Sequence, residues 1–207
     1  KRVQIATAEN LDEKGETTSS IAKRNGAVAA INAGGFYDAN GTGTGRSPYG
    51  FIIHDGKFIL GQNVADSEVN EFVGLTDDGN LIAGNYSKGE LISMDVKEGI
   101  SFGPALIVNG ERMITSGDGG WGVGPRTAIG QKKDGTVLFL VIDGRQPSYS
   151  IGATLRDVQN ILYEEGAYIA ANLDGGSSST LYMNGNVVNK PADLLGERMI
   201  PTAFIVK

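Results

Sequence analysis

The sequence contains no cysteine, which excludes disulfides, zinc-thiolate sites and a cysteine nucleophile. Its 1 histidine, His54, sits beside an Asp55-Gly56 turn signal and is expected to be a solvated hairpin residue. A Ser-His-Asp triad is therefore disfavoured despite the serines. There are only 6 prolines, no Gly-X-Y period, no visible signal peptide and no apolar run long enough to span a bilayer. Basic residues are also short: 18 Lys and Arg stand against 24 Asp and Glu, for a net charge of −6. That balance argues against a general nucleic-acid binder, which shows a basic face, but leaves room for a small cationic pocket holding one phosphate. The chain opens on lysine, which suggests a mature or trimmed fragment whose missing N-terminal segment could have carried an export signal or an anchor.

Glycine is abundant, with 31 residues among 207, while the hydrophobic content of 40% is that of an ordinary globular protein. The length suffices to bury a sizeable core. Asp55-Gly56, Asp78-Gly79, Asn109-Gly110, Asp134-Gly135 and Asn184-Gly185 each lie between short apolar runs. Such pairs tolerate the positive φ of tight turns, so each predicts a β-hairpin. Two helices are predicted. Thr154 caps one, with Asp157 three residues on, an apolar stripe of Leu155, Val158, Ile161 and Leu162, and Gly166 at its end. Thr17 or Thr18 caps a second, weaker one that stops near Gly26, and AVAAIN then reads as a buried strand. The expected fold class is α+β: a mixed, mostly antiparallel sheet with a few packed helices, in one domain over 1–207.

Four polar islands interrupt the apolar strands: 32–37, 124–130, 141–146 and 172–177. Strand ends project side chains onto a common rim. Asp143 and Asp174 both end apolar runs and precede glycine, and the plain alternative is that each bonds its own turn backbone. Arg126 and Arg145 are candidate anion binders, although in an acidic protein such arginines more often pair with an aspartate. Gly175 and Gly176 offer close backbone approach, and successive N–H groups there could form an anion nest. Ser177, Ser178 and Ser179 could donate to sugar or phosphate oxygens, or merely satisfy the turn. Trp121, the single tryptophan, lies near Arg126 and could stack on a sugar. The 41–47 stretch GTGTGRS reads as a loop and lacks the lysine of a P-loop, and Asp38-Ala-Asn40-Gly is too short to count as a calcium loop.

In their order, AAINAGGFY, GFIIHDGKFI, GPALIVNGE, GPRTAIGQKKDGTVLFLVIDGRQ, TLRDVQNILYEEGA, NLDGGSSSTLY and ERMIPTAFIV resemble the phosphodiester glycosidase family from about residue 17 onward. The resemblance implies hydrolysis of a sugar-1-phosphodiester of the N-acetylglucosamine-1-phosphate type at the anomeric C–O bond, on bacterial surface or extracellular glycans. It implies Asp174, Asp143 and Arg126 as catalytic residues, and Asn32, Gly34, Thr127, Arg145, Gly175, Gly176, Ser177 and Arg198 in substrate binding. No metal and no cofactor are implied, the location is extracytoplasmic, and the partner is a carbohydrate phosphodiester rather than nucleic acid. The GTGTGRSPYG stretch departs from a fixed pattern and could set substrate size. A phosphate monoester, with a second pKa of roughly 6, leaves more readily than a sugar hydroxyl, so neutralising its charge matters more than general-acid help. The rival readings are a non-catalytic glycan-binding module of a cell-surface protein and a phosphodiesterase cutting P–O.

Overall fold

All five Asp-Gly and Asn-Gly pairs close hairpins in the computed structural model, which describes residues 2–11, 13–38 and 43–207. The chain runs β1 (Val3–Thr7), α1 (Thr18–Arg24), β2 (Ala29–Asn32), β3 (Ile52–His54), β4 (Lys57–Leu60), β5 (Val69–Thr76), β6 (Leu81–Ser87), α2 (Lys88–Ser93) and β7 (Val96–Ile100). It continues through β8 (Ala105–Val108), β9 (Glu111–Arg112), β10 (Arg126–Lys132), β11 (Val137–Ile142), α3 (Leu155–Glu164), β12 (Ala167–Asn172), β13 (Leu181–Met183), β14 (Asn186–Val187) and β15 (Thr202–Val206). Asp55-Gly56, Asn109-Gly110 and Asn184-Gly185 put both residues at positive φ, the mirror-image turn that matches strand twist. At Asp78-Gly79 and Asp134-Gly135 only the glycine is left-handed, in a slightly longer connection. Asn40 and the Gly41-Thr42 start of the glycine-rich loop lie outside the described residues.

The strands form three five-stranded sheets, ordered β1-β15-β2-β13-β14, β11-β10-β12-β8-β9 and β4-β3-β7-β5-β6. Each pairing in them is antiparallel. The fold is a single α+β domain, and its sheets share one core. Ile5, Ile31 and Phe204 enter it from the first, Ile129 and Ala171 from the second, and Ile52, Val73, Leu75 and Ile100 from the third. β10 is buried along nearly its whole length because it lies between β11 and β12.

Thr154 and Asp157 form a reciprocal capping box at the start of α3, and Gly166 follows its end at positive φ. The buried stripe is Leu155, Val158, Gln159 and Leu162, the 3.6-residue repeat. Ile161, expected on that stripe, falls one position off it and is 37% exposed. Gln159 takes the buried place by bonding both the N–H and the C=O of Ile114. Thr17 caps α1, and Gly26 follows its end at positive φ. The short α2, which the apolar periodicity did not reveal, is fixed by a Ser87/Glu90 capping box. His54 is not merely solvated: its Nδ1 lies 2.9 Å from Oε2 of the buried Glu98, which also accepts the Ile5 N–H.

Candidate active site

Three chain segments lie side by side where β10 begins. Arg126 opens β10 opposite Ile142, the last residue of β11. The Leu173 N–H donates to Thr127 O and the Gly176 N–H to Pro125 O, so 173–176 runs along 125–127. On the other flank Gly144 packs against Pro125, and a Cβ there would meet Pro125 N at 2.6 Å. Asn32, at the end of β2, ties this junction to another sheet. Its buried amide donates to Asp174 O at 2.5 Å, and its Oδ1 accepts from the Thr127 hydroxyl and the Thr180 N–H. The Asp174 N–H in turn donates to Ala33 O.

These bonds fix the backbone of Asp174 on both sides. Burial raises its pKa to about 6. The Ser178 hydroxyl, the Arg198 charge and the Gly175 N–H act the other way, favouring the carboxylate. Ser178 does so from close by, without closing a hydrogen bond of ordinary geometry. Arg198 is held over the Phe36 ring, 5.0 Å from its centroid, and is paired with Asp38. Gly34 donates its N–H to Thr202 Oγ1.

The other predicted residues divide by what they touch. Arg126 is buried. Its Nε donates to Ala153 O, and its Nη2 donates to Trp121 O and Gly122 O. Arg145 packs its guanidinium over Gly176, with Nη1 3.5 Å from the Ser177 hydroxyl. Neither arginine makes an ion pair among the described residues. Burial, and then the charge of Arg145, lower the pKa of Arg126, with Asp118 opposing. The two guanidiniums thus sit within reach of each other's charge and without a partner carboxylate, while Nε and Nη2 of Arg126 are already engaged by backbone carbonyls. The nest suggested by Gly175 and Gly176 takes another form: the Gly176 N–H is taken by Pro125 O, and the Gly175 N–H serves Asp174. Ser178 and Ser179 are buried, leaving Ser177 as the serine beside Arg145.

Asp143 lies at this junction with its carboxylate engaged. It accepts from the Lys190 N–H, the Asn189 amide and the Tyr149 hydroxyl. Asn189 also donates to Ser179 O, so Asp143 braces the segment that follows Asp174.

Next to Asp174 is a wall of aromatic rings. Tyr37 meets Tyr49 edge-on, Tyr49 stacks on Phe102 and Phe102 meets Trp121 edge-on, with centroids 5.9, 6.3 and 6.1 Å apart. Tyr49, Phe102 and Trp121 line a cleft of about 320 Å³ together with Asn70, Glu71 and Ser101. Trp121 is 52% exposed. The Tyr49 hydroxyl lies over Gly35, where a Cβ would meet it at 2.3 Å. Its pKa is pushed up to about 12, by burial first and then by the charges of Asp174, Tyr37 and Glu71. It therefore stays a hydrogen-bond donor near Asp174. Sequence reasoning missed Tyr49, Phe102 and Glu71. Tyr49 and Phe102 sit next to the glycine-rich and SFGP turns, a weak signal. Glu71 reads as an ordinary polar position of a strand. Among the described residues no group of three or more His, Asp or Glu side chains is placed to hold a metal ion, and no helix is long and apolar enough to cross a membrane.

Comparison with known proteins adds the following. The sequence model of a family described as phosphodiester glycosidase matches residues 25–207. The SPbeta prophage-derived uncharacterized protein YomE of Bacillus subtilis is 32% identical over 197 residues, covering 92% of this chain and 29% of its own length. The N-acetylglucosamine-1-phosphodiester alpha-N-acetylglucosaminidase of Bos taurus is 25% identical over 203 residues, covering 88% of this chain and 36% of its own. The chain thus spans about a third of the length of these curated relatives. Among solved structures, the catalytic domain of the zebrafish enzyme of that name, auto-inhibited by its pro-peptide, aligns with a TM-score of 0.79 at 24% identity over 99% of this chain and 72% of its own. A putative exported protein of Burkholderia pseudomallei aligns at 0.68 and 16% identity, over 99% and 71%.

Proposed function

We propose, because this chain belongs to the phosphodiester glycosidase family, that it hydrolyses a sugar-1-phosphodiester at the anomeric C–O bond. The substrate class is an N-acetylglucosamine-1-phosphate-type linkage in a bacterial surface or extracellular glycan, and the site of action is outside the cytoplasm. The name of the bovine relative and the exported description of the Burkholderia structure support that reading. One observation carries it. Asp174, its carboxyl pushed up to about 6 by burial, lies on a segment that runs along 125–127 and carries Gly176 under the Arg145 guanidinium.

In this scheme the sugar ring stacks in the cleft and the phosphate faces Arg126 and Arg145. Water adds to the anomeric carbon, the bond from that carbon to the phosphate oxygen breaks, the phosphate monoester leaves with the bonding electrons, and the proton lost by the water passes to the departing phosphate or to solvent. Ionised Asp174 supplies negative charge to the oxocarbenium-like centre. The arginines neutralise the charge gathering on the leaving phosphate. Asn32 and Thr127 position the Asp174 segment, Gly34 ties the end of β2 to Thr202, Asp143 braces the segment through Asn189, and Arg198 tunes the Asp174 charge. The Tyr49 hydroxyl is a donor within the same site. No cofactor is invoked.

Hydrolysis of an N-acetylglucosamine-1-phosphodiester in oxygen-18 water tests the scheme. Label in the released sugar is the expected result. Label in the phosphate would mean P–O cleavage, and binding without turnover would make the chain a glycan-binding module. The anomer first released shows whether the carboxylate or water attacks.

A further inference from the structure

The aromatic cleft carries one acid, Glu71. Glu71 lies against Gly103: a Cβ on that glycine would stand 2.8, 2.8 and 3.0 Å from the carboxyl carbon and its two oxygens. The bare Gly103 lets the carboxylate seat there, and Asn172 holds the segment by donating to Gly103 O and Pro104 O. Glu71 makes no ion pair among the described residues, and its charge reaches Tyr49 across the cleft. Asn70 and Ser101 lie beside it, and Phe102 and Trp121 form the wall.

We infer that Glu71 selects the sugar. Resting on the function proposed above, the inference is that the cleft takes a neutral or amine-bearing hexose and rejects a sugar that carries a carboxylate. A carboxylate accepts from two neighbouring hydroxyls, or from an ammonium, with nothing to change in the pocket. Against a second carboxylate the exposed Glu71 offers like-charge repulsion.

Trp121 is the single tryptophan, so its fluorescence reports occupancy of this cleft whether or not turnover occurs. The 207-residue chain is titrated with N-acetylglucosamine-1-phosphate, glucosamine-1-phosphate and glucuronic acid-1-phosphate. The expected wild-type result is binding of the first two at least about tenfold tighter than the third. In Glu71→Gln, binding of the acidic sugar strengthens and that ratio falls at least about fivefold. Glu111→Gln, an exposed acid on β9, serves as the control and leaves the ratio unchanged. An unchanged ratio in Glu71→Gln, or a wild type that binds the acidic sugar equally well, overturns the inference. Failure to release sugar from any phosphodiester would instead overturn the function proposed above, and the binding ratios would still decide this one.

Discussion

Asp174 is held in a place that opposes its own ionisation. Its folded pKa of about 6 exceeds the ordinary 3.8, so folding favours the protonated form. As pH rises from about 4 to about 6 the folded state loses stability relative to the unfolded chain, and above that the loss is constant. The shift corresponds to about 3 kcal/mol at most. Asp174→Asn removes this pH-dependent penalty. The variant should match wild type in melting temperature near pH 4 and exceed it near pH 7. Its turnover should fall by about a thousandfold or more, the scale expected on removing a charge that stabilises the transition state. Thermal melts across pH and sugar-release assays on the same samples check both, and full activity would remove Asp174 from the mechanism. For wild type, kcat/KM should rise with pH through about 6 as the carboxylate forms. The two arginines should respond differently. Arg145→Ala removes a guanidinium that lies over a glycine, so stability should move within about 0.5 kcal/mol while phosphodiester KM rises. Arg126→Ala also unties the Trp121-Gly122 backbone and should cost stability as well, which denaturant titration would resolve.

At the level of elements, the end of β2 governs the end of β12 through one amide. Asn32→Ala removes three hydrogen bonds, leaving the Thr127 hydroxyl and the Thr180 N–H buried without their partner. A loss of about 2–4 kcal/mol is expected, with kcat reduced because the Asp174 backbone loses its anchor. Thr154→Ala is the contrasting case. It should cost about 1 kcal/mol through the α3 cap and leave kcat nearly unchanged. The same contrast explains what the sequence disclosed. The turn pairs, the α3 cap and the ends of the β10, β11 and β12 segments depend on neighbours a few residues away, so local chemistry revealed them. The pairing of Asn32 with Asp174 spans 142 positions. The partners of Asp143 were invisible for the same reason: Asn189 and Lys190 lie 46 and 47 positions downstream. Glu71 went unnoticed because Asn70 and Glu71 are adjacent polar residues at the start of a mostly apolar strand, and nothing local tells which will face a glycine on another segment.

Over the whole molecule, the proposed site draws its residues from all three sheets. Asn32 comes from the first sheet and Arg126 and Asp174 from the second and its exit, while Glu71 lies on β5 of the third. Below them the apolar side chains of all three sheets interdigitate, with Ile31, Ile129 and Val73 in one cluster. No sheet can therefore open without exposing the core of the other two. The 207 residues should behave as one cooperative unit. In urea, Trp121 fluorescence, which senses the cleft, and far-ultraviolet circular dichroism, which senses the sheets, should trace coincident transitions. Ile129→Ala empties space at the fully buried centre of β10 and should cost about 2–5 kcal/mol. Because the three sheets unfold together, that loss should move both signals to the same lower midpoint with an unchanged slope. Separation of the two transitions would show instead that the cleft melts before its scaffold, and that the sheets do not constrain Asp174 as tightly as their shared core requires.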